Sequence, residues 1–128
     1  MLKTLELKNV ALIDRATIEF GEGLNVLSGE TGSGKSVILD ALNFVLGAKA
    51  DKSIIRHGED SCFVTAAFDV PDNPTVKRIL EDYLGETPDD ELIISRKLTS
   101  DGKSQIRVNG EAYSASMLKG ITGYLIDV

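Results

Sequence analysis

Eight residues, Gly29-Glu30-Thr31-Gly32-Ser33-Gly34-Lys35-Ser36, constrain this chain more than any other stretch. They match the pattern GxxxxGK[ST] in full. Before them lies an apolar run, Leu24-Asn25-Val26-Leu27, suited to a buried strand. After them Ile38, Ala41, Leu42, Val45 and Leu46 recur on one helical face, and Gly47 stands where a C-cap belongs. A strand therefore feeds a glycine-rich turn that opens straight into a helix. The glycines let the backbone wrap tightly enough for successive N–H groups to point at an anion. The helix N-terminus adds unpaired donors and a partial positive charge. In this frame Lys35 reaches the β- and γ-phosphates of a nucleotide, and the Ser36 hydroxyl ligates Mg²⁺. The candidate nucleotide-binding residues are Gly29, Glu30, Thr31, Gly32, Ser33, Gly34, Lys35, Ser36 and Val37. Lys35 is the candidate catalytic group, and ATP with Mg²⁺ is the expected cofactor set.

The rest of the chain reads as one domain's worth of elements. Its 128 residues are 42% hydrophobic, enough for a single core and too few for two domains. Leu2, Leu5 and Leu7 mark a first strand, and Ala16, Ile18 and Phe20 a second. A loop over 48–60 precedes a strand with Cys62, Val64, Ala66, Phe68 and Val70 on one face. Asn73-Pro74 opens a helix striped by Val76, Ile79, Leu80, Tyr83 and Leu84. Two strands, 92–98 and 104–108, flank a hairpin turn at Ser100-Asp101-Gly102-Lys103. A short helix begins at Ser114, and the chain ends in a strand-like run, Gly123-Tyr124-Leu125-Ile126-Asp127-Val128. A core strand at the very end needs partners for its backbone, so the chain is expected to be the N-terminal piece of a longer protein.

Charge excludes less than its sum suggests. Fourteen basic and twenty acidic residues give −6, but Glu81–Glu91 alone holds six acids and no base. The other 117 residues sum to zero, so phosphate binding elsewhere is not opposed. One Cys and one His cannot form a Cys/His zinc site. Lone Cys62 in an apolar run reads as a buried free thiol of a reducing compartment. The N-terminus lacks the apolar core of a signal peptide, and Val37–Ala48 is too short to span a bilayer and carries Asp40. A cytoplasmic location without a membrane partner is expected.

About 23 residues with two strand patterns precede the P-loop strand. This resembles the ATP-binding-cassette class, in which an antiparallel β-layer comes first, and differs from kinases and GTPases that open directly with the P-loop strand. NKxD, the guanine-specificity motif, is absent. Leu7-Lys8-Asn9-Val10-Ala11-Leu12-Ile13 and the run from Gly23 through Ser36 resemble the N-terminal head segment of the RecN family. So do Leu46-Gly47-Ala48-Lys49-Ala50-Asp51, Ile55-Arg56-His57-Gly58, Asp101-Gly102-Lys103-Ser104, Val108-Asn109-Gly110 and Tyr124-Leu125-Ile126-Asp127.

The resemblance implies an α/β fold: the N-terminal lobe of an ABC/SMC-type P-loop NTPase, a mixed sheet with an antiparallel β-layer ahead of the P-loop strand and helix. It implies a role in bacterial double-strand-break repair and recombination, with DNA as a partner and the nucleoid as workplace. In that family the head is split. Residues 1–128 would be one lobe, followed by a coiled coil and a C-terminal lobe bearing the signature motif, Walker B and switch histidine. Two heads would sandwich ATP, binding would drive their engagement, and hydrolysis would release them. Wider SMC-type heads carry an aromatic and an Arg where this chain has Val10 and Ala11, so no basic nucleotide contact is carried to position 11. The Q-loop glutamine is expected just beyond Val128.

Tyr124-Leu125-Ile126-Asp127 also passes as Walker B, though the resemblance makes it the strand entering the Q-loop. Arg56 matches the loop arginine proposed to couple nucleotide and DNA, and a plain surface arginine is the alternative. Arg96, Lys97, Lys103 and Arg107 face only Asp101 in the hairpin, a basic surface for DNA phosphates. No aromatic interleaves these residues along the chain, so stacking on single strands is not expected. Two other functions stay open on the residues alone: another ABC-type or P-loop phosphotransferase, and a nucleotide-gated dimerisation module without significant turnover.

Overall fold

The computed structural model describes residues 2–20, 24–26, 33–69, 74–84 and 91–122. Alternating apolar positions become strands wherever the chain can turn back on itself. β1 (Leu2–Val10) and β2 (Ile13–Phe20) form a hairpin, and β3 (Leu24–Val26) pairs with the far side of β2. On the other side of β1 lies β4 (Ser61–Asp69), followed by β5 (Glu91–Thr99), β6 (Ser104–Val108) and β7 (Glu111–Tyr113). The sheet order is β3-β2-β1-β4-β5-β6-β7, and every pairing among the described residues is antiparallel.

The register aligns the apolar sets. Leu5 faces Ile18 and Ala66, Leu7 faces Ala16 and Val64, and Ala66 faces Ile94. One face of the sheet is therefore a continuous apolar surface, and Leu5, Leu7, Val64, Ala66, Phe68, Leu92 and Ile94 are buried in it. The opposite parity, including Glu6, Lys8, Arg15 and Lys97, forms an outer face.

Against the apolar face pack the helices. α1 (Ser33–Val45) lies on β1, β4 and β5 through Ala41, Phe44 and Val45. α2 (Pro74–Leu84) and α3 (Ala115–Thr122) pack on each other and add Leu80, Leu118 and Ile121 to the core.

The expected helix over the P-loop segment starts earlier than its apolar stripe. Its end is as expected: the Ala48 N–H donates to Asn43 O at 3.0 Å and the Gly47 N–H to Phe44 O at 3.2 Å. This is a Schellman cap, and it needs the φ of +107° that Gly47 adopts. The 48–60 loop contains a 3₁₀ turn, Lys52–Ile54, capped by Asp51 accepting from the Ser53 N–H at 3.0 Å. Ser114 Oγ accepts from the Met117 N–H at 3.2 Å and so caps α3 where a helix was expected. The hairpin at 100–103 is present, with the Thr99 N–H donating to Lys103 O at 2.9 Å.

β7 has no counterpart in the expected elements. Asn109 and Gly110 both take positive φ, +49° and +87°, and join β6 to β7 in a two-residue turn. The Asn-Gly pair is the strongest short hairpin signal a sequence carries, but a three-residue partner strand is too short to alternate visibly. Val70, Asn73, most of the acidic run and the terminal strand-like segment lie outside the described residues.

Candidate nucleotide site and basic sheet face

Backbone positions Ser33 to Ser36 form the first turn of α1, and β3 ends at Val26 on the same lobe. Gly29, Glu30, Thr31 and Gly32 lie outside the described residues, as do the side chains of Ser33, Lys35 and Ser36. Val37 is half-buried against the core, which ties the turn after the motif to the sheet. The first turn of the helix carries no carboxylate to neutralise its positive end.

The other end of α1 lacks a basic residue of its own. Arg96 supplies one from β5. Its Nη1 donates to Phe44 O at 2.7 Å and to Ala48 O at 2.6 Å, while Nε donates to Ser104 Oγ at 2.8 Å. The guanidinium also stacks 4.5 Å from the Phe44 ring centroid. Arg96 is 4% exposed, so the expected contact with DNA phosphates is corrected: the side chain turns to the inner face of the hairpin. Period-two alternation explains this, since Arg96 shares the parity of Leu92, Ile94 and Leu98. Burial pushes its pKa down, and burial pushes the neighbouring Cys62 thiol up. Among the described residues no buried side-chain nitrogen or oxygen lacks a partner.

Arg56 lies beside the β1–β2 turn. Its N–H donates to Asn9 O at 2.8 Å, and the Ala11 N–H donates to Ile54 O at 2.7 Å. Asn9 and Ala11 hold φ of +57° and +52° to make these bonds. Left-handed backbone costs a non-glycine residue about 1 kcal/mol, so the strap between turn and loop must outweigh that strain. The Arg56 side chain is half-exposed, with Asp14 Oδ1 at 3.9 Å from Nη1, a pairing that water weakens.

Lys97 and Arg107 are exposed on the outer face, and Lys103 is exposed at the hairpin tip near Asp101. The register adds residues that linear reading missed. Arg15 pairs with Lys8, Lys8 with Phe63, Phe63 with Lys97, and Lys97 with Gln105. A row therefore crosses five strands with three cations in it. Phe63, 41% exposed, stands between Lys8 and Lys97, an aromatic that β4 contributes from outside the hairpin. The far end of the sheet is acidic: Lys3 lies 3.0 Å from Glu91 and 3.7 Å from Asp69, and the two carboxylates raise its pKa.

A strand, a GxxxxGKS segment and a helix, set behind an antiparallel β-layer, define the class as a P-loop NTPase lobe of ABC/SMC type. The family described as the RecF/RecN/SMC N terminal domain matches residues 1–122, and the chain belongs to that family. The chain is 40% identical over 129 residues to the DNA repair protein RecN of Vibrio cholerae, and 36% identical over 130 residues to that of Halalkalibacterium halodurans. All of this chain is covered in both cases, yet it spans only 23% of the length of either relative. A solved structure from work on ATP-driven dimerization and DNA-stimulated activation of SMC ATPases superposes with a TM-score of 0.74 at 27% identity. That superposition covers 97% of this chain and 78% of the other. ATPase activity is thus a property of the family. Among the described residues no helix is long and apolar enough to cross a membrane.

Proposed function

We propose that residues 1–128 are the ATP-binding N-terminal lobe of a RecN-like ATPase acting in DNA double-strand-break repair and recombination. The observation that carries this reading is a helix opened by Gly34-Lys35-Ser36 on the sheet of the RecF/RecN/SMC N-terminal family. The glycine-rich backbone would cradle the phosphates, Lys35 would neutralise the β- and γ-phosphates, and Ser36 would hold Mg²⁺. One hydroxyl completed by phosphate oxygens and water suits an ion that gives up its hydration reluctantly, so the donor set fits the metal. The metal would supply charge neutralisation between the phosphates. Arg56, strapped to the β1–β2 turn, would link this site to bound DNA.

A C-terminal lobe of the same protein and a second head would complete the site, with ATP driving engagement and hydrolysis following it. Lys97, Lys103 and Arg107, joined on the sheet face by Lys8 and Arg15, would contact the DNA backbone without reading bases. Work in the cytoplasm, on the nucleoid, follows from this role.

The test is the ATPase rate of the full-length protein with and without double-stranded DNA, compared with Lys35→Ala. The variant is expected to lose at least about tenfold in turnover, as loss of a charge-assisted phosphate contact implies. DNA is expected to stimulate the parent protein. An unchanged rate in Lys35→Ala refutes the phosphate role, and an active protein indifferent to DNA refutes the repair assignment.

A further inference from the structure

From the anchoring at the far end of α1 we infer that Arg96 is a positioning residue for the nucleotide site, a reading that rests on the proposed P-loop function. α1 is 13 residues long, so Arg96 acts about 20 Å from the phosphate end. A helix transmits placement over that distance as a rod. Along its length α1 touches the sheet through apolar side chains, which resist separation but tolerate sliding and rotation. Arg96 supplies the directional bonds. One planar guanidinium grips Phe44 O, Ala48 O and Ser104 Oγ at once, and stacks on the Phe44 ring. Three acceptors on α1, on the loop after it and on β6 are thereby tied to one side chain. The helix's last turn contains no cation of its own that could substitute.

The fork, and not the charge alone, fixes the geometry. An ammonium at the same place reaches one acceptor well and cannot bridge all three or stack in plane. Loss of the fork frees the rod to shift by a fraction of an ångström, and its first turn, Ser33 to Ser36, shifts with it. Binding suffers first, because many short N–H to phosphate contacts must align together.

The experiment compares full-length parent protein with Arg96→Lys, Ser104→Ala and Lys35→Ala, reading KM for MgATP, kcat at saturating MgATP, and Tm without nucleotide. Arg96→Lys is expected to raise KM about tenfold with kcat within about twofold, the size of one or two lost charge-assisted hydrogen bonds. Ser104→Ala leaves the core intact and is expected to raise KM by a smaller factor, about threefold. A lowered Tm with KM unchanged makes Arg96 merely structural and overturns the inference, as does a fall in kcat at unchanged KM. If Arg96→Lys does not fold, Ser104→Ala decides: an unchanged KM there refutes the positioning role. Lys35→Ala separates the two readings. If it leaves activity intact, the P-loop assignment fails; if it abolishes activity while Arg96→Lys and Ser104→Ala match the parent, only the positioning role fails.

Discussion

Asp51 and Asp101 each turn a carboxylate onto nearby donors. Asp51 accepts from the Ser53 N–H, and Asp101 from the Thr99 hydroxyl and the Lys103 N–H. These bonds favour the charged form, so both pKa values fall below the ordinary 3.8. A depressed carboxylate stabilises the fold above its unfolded pKa and loses that contribution as pH drops through its folded pKa. The double variant Asp51→Asn, Asp101→Asn should therefore differ from the parent in Tm at pH 6, and the gap should narrow below about pH 4. Thermal melts across that range check it. A gap constant with pH would show that the carboxylate charge contributes nothing. Asp51 was legible only as a loop residue, because capping depends on which backbone N–H groups the turn leaves free. Arg96 shows the same limit in reverse. Its residue type pointed to a surface, and its parity in β5 placed it inside.

At the scale of elements, the sheet's outer face collects what separate strands carry. Lys8 on β1, Arg15 on β2 and Lys97 on β5 are 89 positions apart at their extremes, yet the register sets them in one row. Lys97→Glu with Arg107→Glu in the full-length protein should weaken double-stranded DNA binding alike for all sequences. Each lost phosphate contact should flatten the slope of log affinity against log salt by about 0.9. A salt titration of binding measures this, and an unchanged slope would remove these residues from the DNA contact. Phe63 in the same row gives a further expectation: Phe63→Ala should weaken single-strand binding more than duplex binding, as stacking demands an unpaired base. The hairpin strands were legible from alternation, and α1 from its stripe. The row was not, since nothing along the chain states that β4 inserts between β1 and β5.

Over the whole molecule, the core is one layer between the sheet and its helices, and Phe68 is the largest fully buried side chain among the described residues. Phe68→Ala should cost about 3–5 kcal/mol, read as a lower urea midpoint at constant slope. A cost near zero would mean the cavity collapses and the layer is loosely packed. The fold class, the strand that feeds the P-loop, its helix with Gly47 as stop, and the chemistry expected of Lys35 and Ser36 were determined by the sequence itself. Those features depend on neighbours a few residues away, where period, turn chemistry and motif spacing act directly. Only the tertiary structure decided that β4 joins β1, that Arg96 leaves the basic surface to clamp the P-loop helix, and that Lys8, Arg15 and Phe63 enter the outer row. These depend on strand order and register, and burying a shared apolar face sets both through contacts between residues far apart in the chain.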